Sequence, residues 1–246
     1  MDKKHNREYV KIPKSSILPD SSNKKRTLDD KFWINLIHIH LLTFYKNHDE
    51  EELKKLIIEE DKKSRSDIED LIKDYMMEWF KTNNKRMFRQ GIIVNTEPKV
   101  KYEQKGFYDL KFEHSDWVNS KTSSLNYYVL ECKNLENSAS LVAKYVFYKR
   151  TPKENDGGVY RYFNGKYAQS QNFGGMIGFV LKGDIQKIKT KICKKLETEF
   201  DTSPNGDLIK INHSSIESND FTFDSIHSRK DGNFTIHHLL FDFNIE

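Results

Sequence analysis

The sequence predicts an α/β fold: a mixed central β-sheet flanked by helices, with an N-terminal helical region. Three observations predict it. Apolar residues recur at helical spacing up to about residue 80, and from Gly91 the texture turns β-branched and alternating. An amphipathic, lysine-rich stretch then separates two groups of strand-like runs. This order divides the chain into a basic arm (1–27), a helical region packed on the core (28–90) and an α/β core with C-terminal strands (91–246).

The 246 residues suffice for one large domain, or for one domain with a helical appendage. Sixteen Phe and twelve Tyr can fill a core although 32% of the chain is charged, which argues against a disordered chain. The net charge of +4 permits a polyanionic partner without demonstrating one. Cys132 and Cys193 have no CxxC spacing and are expected to be reduced thiols of a cytosolic protein. No apolar run approaches the roughly 20 residues that span a bilayer. No apolar signal region follows the first charges, so the expectation is a soluble, cytoplasmic protein.

Residues 1–27 carry Lys3, Lys4, Arg7 and Lys24–Arg26 with little periodicity. They read as a solvated arm, or as one that touches phosphates. Asp29 and Asp30 supply acids for a helix start, and Phe32, Trp33, Leu36, Ile37, Leu41 and Phe44 follow at helical spacing. His38 and His40, two apart, fall on different faces and are read as ordinary histidines. A short charged helix is expected over 49–61. A longer one from about Ser66 carries Ile68, Ile72, Met76, Trp79 and Phe80 on one face.

Ile92–Val94 and the alternating Lys99–Tyr102 read as strands. So do Phe107–Phe112 and Tyr127–Lys133, joined by a polar stretch (Ser115 to Ser124) as a hairpin. A helix is expected over 138–148, a buried strand over 174–181, and the lysine-rich helix over 185–200. The tail alternates at Phe221–Phe223 and Thr235–Phe241 around the turn dipeptide Asp231-Gly232.

The informative pattern is an acid late in one strand and an acid-X-lysine triplet ending the next: Asp109, then Glu131, Cys132 and Lys133. Residues two apart on a strand share a face, so Glu131 and Lys133 project together while Cys132 packs into the opposite layer. Pairing of the two strands brings Asp109 beside Glu131. Two converging carboxylates repel unless a cation lies between them, and an all-oxygen donor set suits Mg²⁺ or Mn²⁺. A lysine beside such an ion orients a water and balances charge on a phosphate. The bland reading is a Glu–Lys pair on a sheet edge with Asp109 in a turn. Against it stands the apolar Tyr127–Leu130 run before Glu131, where an idle charge is costly.

Over roughly Glu97 to Lys133 this arrangement resembles the PD-(D/E)XK, restriction-endonuclease-like nuclease family. Tyr108 stands where the family's pattern has proline, a position that varies widely within it. The resemblance implies Asp109 and Glu131 as metal ligands, the carbonyl of Cys132 as a further one, and Lys133 as support for the nucleophilic water. A further carboxylate often comes from the preceding helix in that family, and Glu78 and Glu97 are the candidates here. The segments Arg161–Ala168, Gly175–Val180 and Ser225–Arg229 are similar to uncharacterised bacterial members found beside defence or restriction genes.

Arg161, Lys166, His227 and Arg229, flanked by Tyr and Phe, are candidate phosphate contacts, although any single one is more often a surface charge. His227 is placed in a polar turn between strands. His237 and His238 are expected to point one inward and one outward. Walker, GxGxxG and zinc-deaminase patterns are absent, and Gly174-Gly175 lacks the Lys-Ser/Thr of a phosphate loop. The expected activity is Mg²⁺-dependent hydrolysis of phosphodiesters in DNA, with RNA left open, in restriction-like or antiviral defence. A homodimer would supply two sites for double-strand cleavage, and an ATPase or helicase partner would supply recognition or energy. The alternative is an inactive nucleic-acid-binding or scaffolding subunit of a defence complex.

Overall fold

A computed structural model of the chain describes residues 28–96, 108–119, 123–152, 154–164, 166–168, 170–200, 206–215 and 221–245. The expected arm (1–27), the alternating run at 99–102 and Glu97 lie outside them.

Helix α1 (Asp30–Asn47) starts where Asp29 accepts the Phe32 amide at 2.8 Å, satisfying a donor that the helix leaves open. Helix α2 (Glu50–Lys63) is capped in the same way by Asp49, with Glu50–Glu52 in its first turn and Lys62 and Lys63 in its last. Helix α3 (Ile68–Asn83) and the short α4 (Lys85–Arg89) complete the helical region. Their apolar stripes, including Phe44, Ile57, Ile72, Met76 and Phe80, are buried in one cluster with one face of the sheet. No helix is long and apolar enough to cross a membrane among the described residues.

The sheet is seven-stranded and mixed. Its strands are β1 (Ile93–Thr96), β2 (Leu110–Val118), β3 (Leu125–Glu136), β6 (Phe173–Lys182), β7 (Leu208–His213), β8 (Thr222–Arg229) and β9 (Gly232–Asp242). They run in the order β1-β2-β3-β6-β9-β8-β7. The first three form an antiparallel meander, β6 joins β3 in parallel, β9 joins β6 in parallel, and β8 and β7 return antiparallel. Helix α5 (Ala139–Tyr145) leads from β3 toward β6, and α6 (Ile185–Glu199) covers the second face with Ile188, Ile192 and Leu196. Between α5 and β6 lie a small hairpin, β4 (Tyr148–Thr151) with β5 (Glu154–Asp156), and a 3₁₀ turn, Val159–Tyr162.

Because both faces are covered, β6 is buried along almost its whole length, as its unbroken apolar run requires. Gly175 is glycine for a packing reason. A Cβ there would lie 2.3 Å from both Leu130 Cδ2 and Tyr128 Oη.

Several expectations shift. Strand β2 continues to Val118, into the stretch read as a polar loop, with Trp117 buried and its indole N–H donating to Asp30 at 2.7 Å. Helix α5 stops at Tyr145 instead of reaching 148, because β4 begins there. Strand β7 was not expected at all. His237 and His238 do point to opposite faces, but both are buried, since neither face meets solvent.

His227 is not in a turn. It lies within β8, fully buried, in a hydrogen-bonded chain of fixed proton order. Its Nδ1–H donates to the Gly206 carbonyl at 2.8 Å, so its Nε2 accepts from Ser225 at 2.9 Å. Ser225 then accepts from His238 Nε2–H at 2.8 Å, and His238 Nδ1 accepts from Tyr145 at 3.0 Å.

Burial pushes His227 down to about 4, and also holds His38 and His238 well below the usual range. The unfolded chain therefore takes up protons on these rings near pH 6.5, while the folded chain resists. Their contribution to stability is complete above about pH 6.5 and is lost as pH falls toward 4, at about 1.4 kcal/mol per pH unit for each ring. Urea unfolding at pH 8, 6 and 5 should show this decline, and His227→Gln should make it shallower. A profile flat from pH 8 to 5 would contradict the buried neutral rings.

Candidate active site

Register builds the site. Strands β2 and β3 pair with Leu110 opposite Leu130 and Phe112 opposite Tyr128, which places Asp109, just before β2, beside Glu131. The acid is thus at the start of its strand, not late in it. On β3, Tyr128, Leu130 and Cys132 belong to the core under the N-terminal helices, whereas Val129 and Leu135 belong to the opposite core. The expected alternation is present, with the Cys132 thiol fully buried and its pKa pushed up by that burial.

Asp109, Glu131 and Lys133 come together. The Lys133 ammonium lies 2.9 Å from Glu131 Oε1 and 3.9 Å from Asp109 Oδ2, and donates to the Cys132 carbonyl at 2.5 Å. Asp109 Oδ2 accepts the Cys132 amide at 2.6 Å, which locks the carboxylate to the neighbouring strand. The ammonium therefore sits among the very oxygens expected to ligate a metal.

The helix-borne carboxylate is Glu69, not Glu78. Glu69 Oε1 meets Lys133 at 3.0 Å, while Glu78 is exposed on α3 and pairs, among the described residues, with Lys81 at 3.6 Å. One turn on, Lys73 reaches Asp109 Oδ1 at 3.1 Å and Asp70 at 2.6 Å. Lys73 is 5% exposed. Both α3 residues follow buried members of the apolar stripe, Ile68 and Ile72. That spacing sets them at the margin between helix and sheet, and it was the available signal for finding them.

Arg161 is engaged by protein groups at the site. Its Nη1 donates to Glu131 Oε1 at 2.6 Å and to the Tyr167 hydroxyl at 3.2 Å, and its Nε donates to Asp156 at 3.0 Å. Lys166 helps hold Asp156 ionised from nearby, so it shares this margin of the site. His227 and Arg229 are not brought here. Both His227 nitrogens are used in the core, and Arg229 Nη1 donates to the Ala168 and Gln171 carbonyls while its guanidinium lies over the Phe234 ring.

Burial pushes Glu131 up to about 6 and raises Glu69, with Lys133 opposing both shifts. Lys133 itself is raised, since Glu131, Glu69 and Asp109 outweigh the burial that would lower it. Burying an ammonium costs several kcal/mol. Two contacts near 3 Å each return on the order of 5 kcal/mol at an effective dielectric of about 20, so attraction wins.

Two observations bear on a metal. Among the described residues the ion pairs join five carboxylates (Glu69, Asp70, Asp109, Glu131, Asp156) to three cations (Lys73, Lys133, Arg161), so that acids outnumber bases even with Lys166 near Asp156. Glu131 Oε2 is also buried and makes no well-formed hydrogen bond, although the Tyr167 hydroxyl interacts with the same carboxyl. Oxygen donors, surplus charge and a carboxylate oxygen with spare accepting capacity fit a hard divalent cation. Among the described residues, no three His, Cys or carboxylate side chains converge closely enough to hold an ion as they stand. The Lys133 ammonium lies among those oxygens.

Replacing Lys133 with Met should lower the unfolding free energy by about 3 kcal/mol near neutral pH, because it strands a buried carboxylate. Adding Glu131→Gln should recover much of that loss. Urea titration of the single and double variants checks this, and equal stabilities would show that Lys133 does not neutralise Glu131.

The chain matches no protein-family model, no curated protein and no solved structure among those compared with it.

Proposed function

We propose that this protein is a Mg²⁺-dependent endonuclease of the PD-(D/E)XK, restriction-endonuclease-like kind, acting on DNA in cytoplasmic defence against foreign genomes. The observation that carries the reading is the meeting of Asp109, Glu131, the Cys132 carbonyl and Lys133 across the β2–β3 pair, with Glu69 added from α3. The order of elements agrees with it: a helix, an antiparallel three-strand meander, a helix, then a strand parallel to the third.

Asp109, Glu131 and the Cys132 carbonyl would hold the ion, and Glu69 is placed to join them. When bound, Mg²⁺ supplies Lewis acidity and lowers the pKa of a coordinated water. Lys133 has three donors on a flexible stem, so its ammonium can turn from the Cys132 carbonyl toward water and phosphate. Lys73 keeps Asp109 paired, and Arg161 with Tyr167 keeps Glu131 oriented. RNA remains a second substrate to test, and a homodimer or an ATPase partner belongs to the same reading. A second reading, an inactive nucleic-acid-binding or scaffolding subunit, is favoured by one observation: an ammonium already fills the centre of the carboxylates.

Plasmid, linear and single-stranded DNA and RNA should be incubated with the protein in Mg²⁺, Mn²⁺ or chelator. Cleavage should need the metal and fall at least about a hundredfold in Lys133→Ala and Asp109→Ala. Glu69→Gln should cost roughly ten- to a hundredfold, as a supporting ligand does. Salt-sensitive binding without cleavage would favour the second reading, and cleavage surviving both substitutions would place the active centre elsewhere.

A further inference from the structure

A cavity of about 250 Å³, apolar along Ile34 and Phe173 and polar elsewhere, lies at the other end of the parallel strands. Glu131 and Lys133 stand opposite Met176 and Gly178, whereas this cavity is lined by Phe173 at the start of β6, by Thr235 and His237 of β9, and by Lys31 of α1. Asn172 and Ser215 complete its polar wall.

His237 is the built element. It is 6% exposed, and its Nδ1 lies 2.9 Å from Asp224 Oδ1. The other Asp224 oxygen accepts the Ser215 amide at 2.9 Å. The carboxylate thereby fixes the proton on Nδ1 and leaves Nε2 as the free position of the ring. Nε2 has no hydrogen-bond partner among the described residues, although His38 and Tyr128 pack around the ring. A buried histidine held by a carboxylate, with its second nitrogen unused beside a cavity, is arranged for a ligand.

The wall identifies the chemistry. Asp224 lies behind the wall, hydrogen-bonded to His237 and Ser215, and Lys31 is the charged side chain of the lining itself among the described residues. Two hydroxyls and an amide join Lys31 from separate segments, which suits a tetrahedral oxyanion approached from several directions better than a planar carboxylate. The volume is below the roughly 300–1,000 Å³ of drug-sized pockets, so the occupant is small.

We propose that this cavity is a binding site for a small phosphate-bearing molecule, held by Lys31 and the surrounding hydroxyls, with a ligand O–H donating to His237 Nε2. The site is independent of the nuclease reading.

The test is an NMR titration of the full chain, labelled with ¹⁵N in histidine, using inorganic phosphate, ribose 5-phosphate, ribose and acetate in separate arms. Inorganic phosphate and ribose 5-phosphate should each shift the His237 Nε2 resonance saturably, and ribose and acetate should not. Lys31→Ala, at an exposed position, should weaken binding roughly tenfold, as expected for one charge-assisted hydrogen bond. Asp109→Asn should leave it unchanged. The proposal is overturned if neither phosphate compound saturates, if acetate or ribose shifts the resonance equally, if Lys31→Ala has no effect, or if Asp109→Asn abolishes the shift.

Discussion

The pairing of β2 with β3 decides where charge can gather in this protein. Leu110 opposite Leu130 and Phe112 opposite Tyr128 are set by apolar side chains that must face the helical layer. Once those pairs form, Asp109 has no freedom to be anywhere except beside Glu131. A slip of one residue would turn Cys132 out of its core and move Glu131 into it. The hydrophobic pattern and the charged cluster are thus one constraint seen from its two ends.

That cluster survives because its acids and bases interlock across α3, the start of β2, β3, β5 and the 3₁₀ turn. Glu131 is fully buried, a situation that a lone carboxylate would resolve by staying protonated. Lys133 and Arg161 flank it instead, and Lys73 does the same for Asp109 from the helix. Each cation is shared between at least two acids, so no pair is independent of the next. A substitution at any node redistributes protons as well as contacts.

Much of this was legible in the chain. Acidic helix starts and helical periodicity located α1, α2 and α3, an apolar run located β3, and alternation located β9. The acid-X-lysine triplet at the end of an apolar run located Glu131 and Lys133. What escaped notice has physical causes. Glu69 and Lys73 look like ordinary helix-surface charges until the helix is laid against a sheet, and only then does the margin of its stripe become an interior. Strand β7 is short and lies at the sheet edge, and its Leu208, Ile209 and Ile211 are too few and too exposed to make a clear run. Ser225 and His227 read as polar-turn material because polarity usually marks solvent, yet with His238 they satisfy one another inside the core.

That hydrogen-bonded chain from Tyr145 to Gly206 has a direction, and direction carries a liability. Each of its three inner members, His238, Ser225 and His227, gives a proton one way and receives one from the other side. Ser225 stands at the middle, between two imidazoles that cannot reach each other without it. Its small hydroxyl is therefore a keystone: losing one oxygen atom orphans a donor on His238 and an acceptor on His227 together, far out of proportion to the size of the group removed.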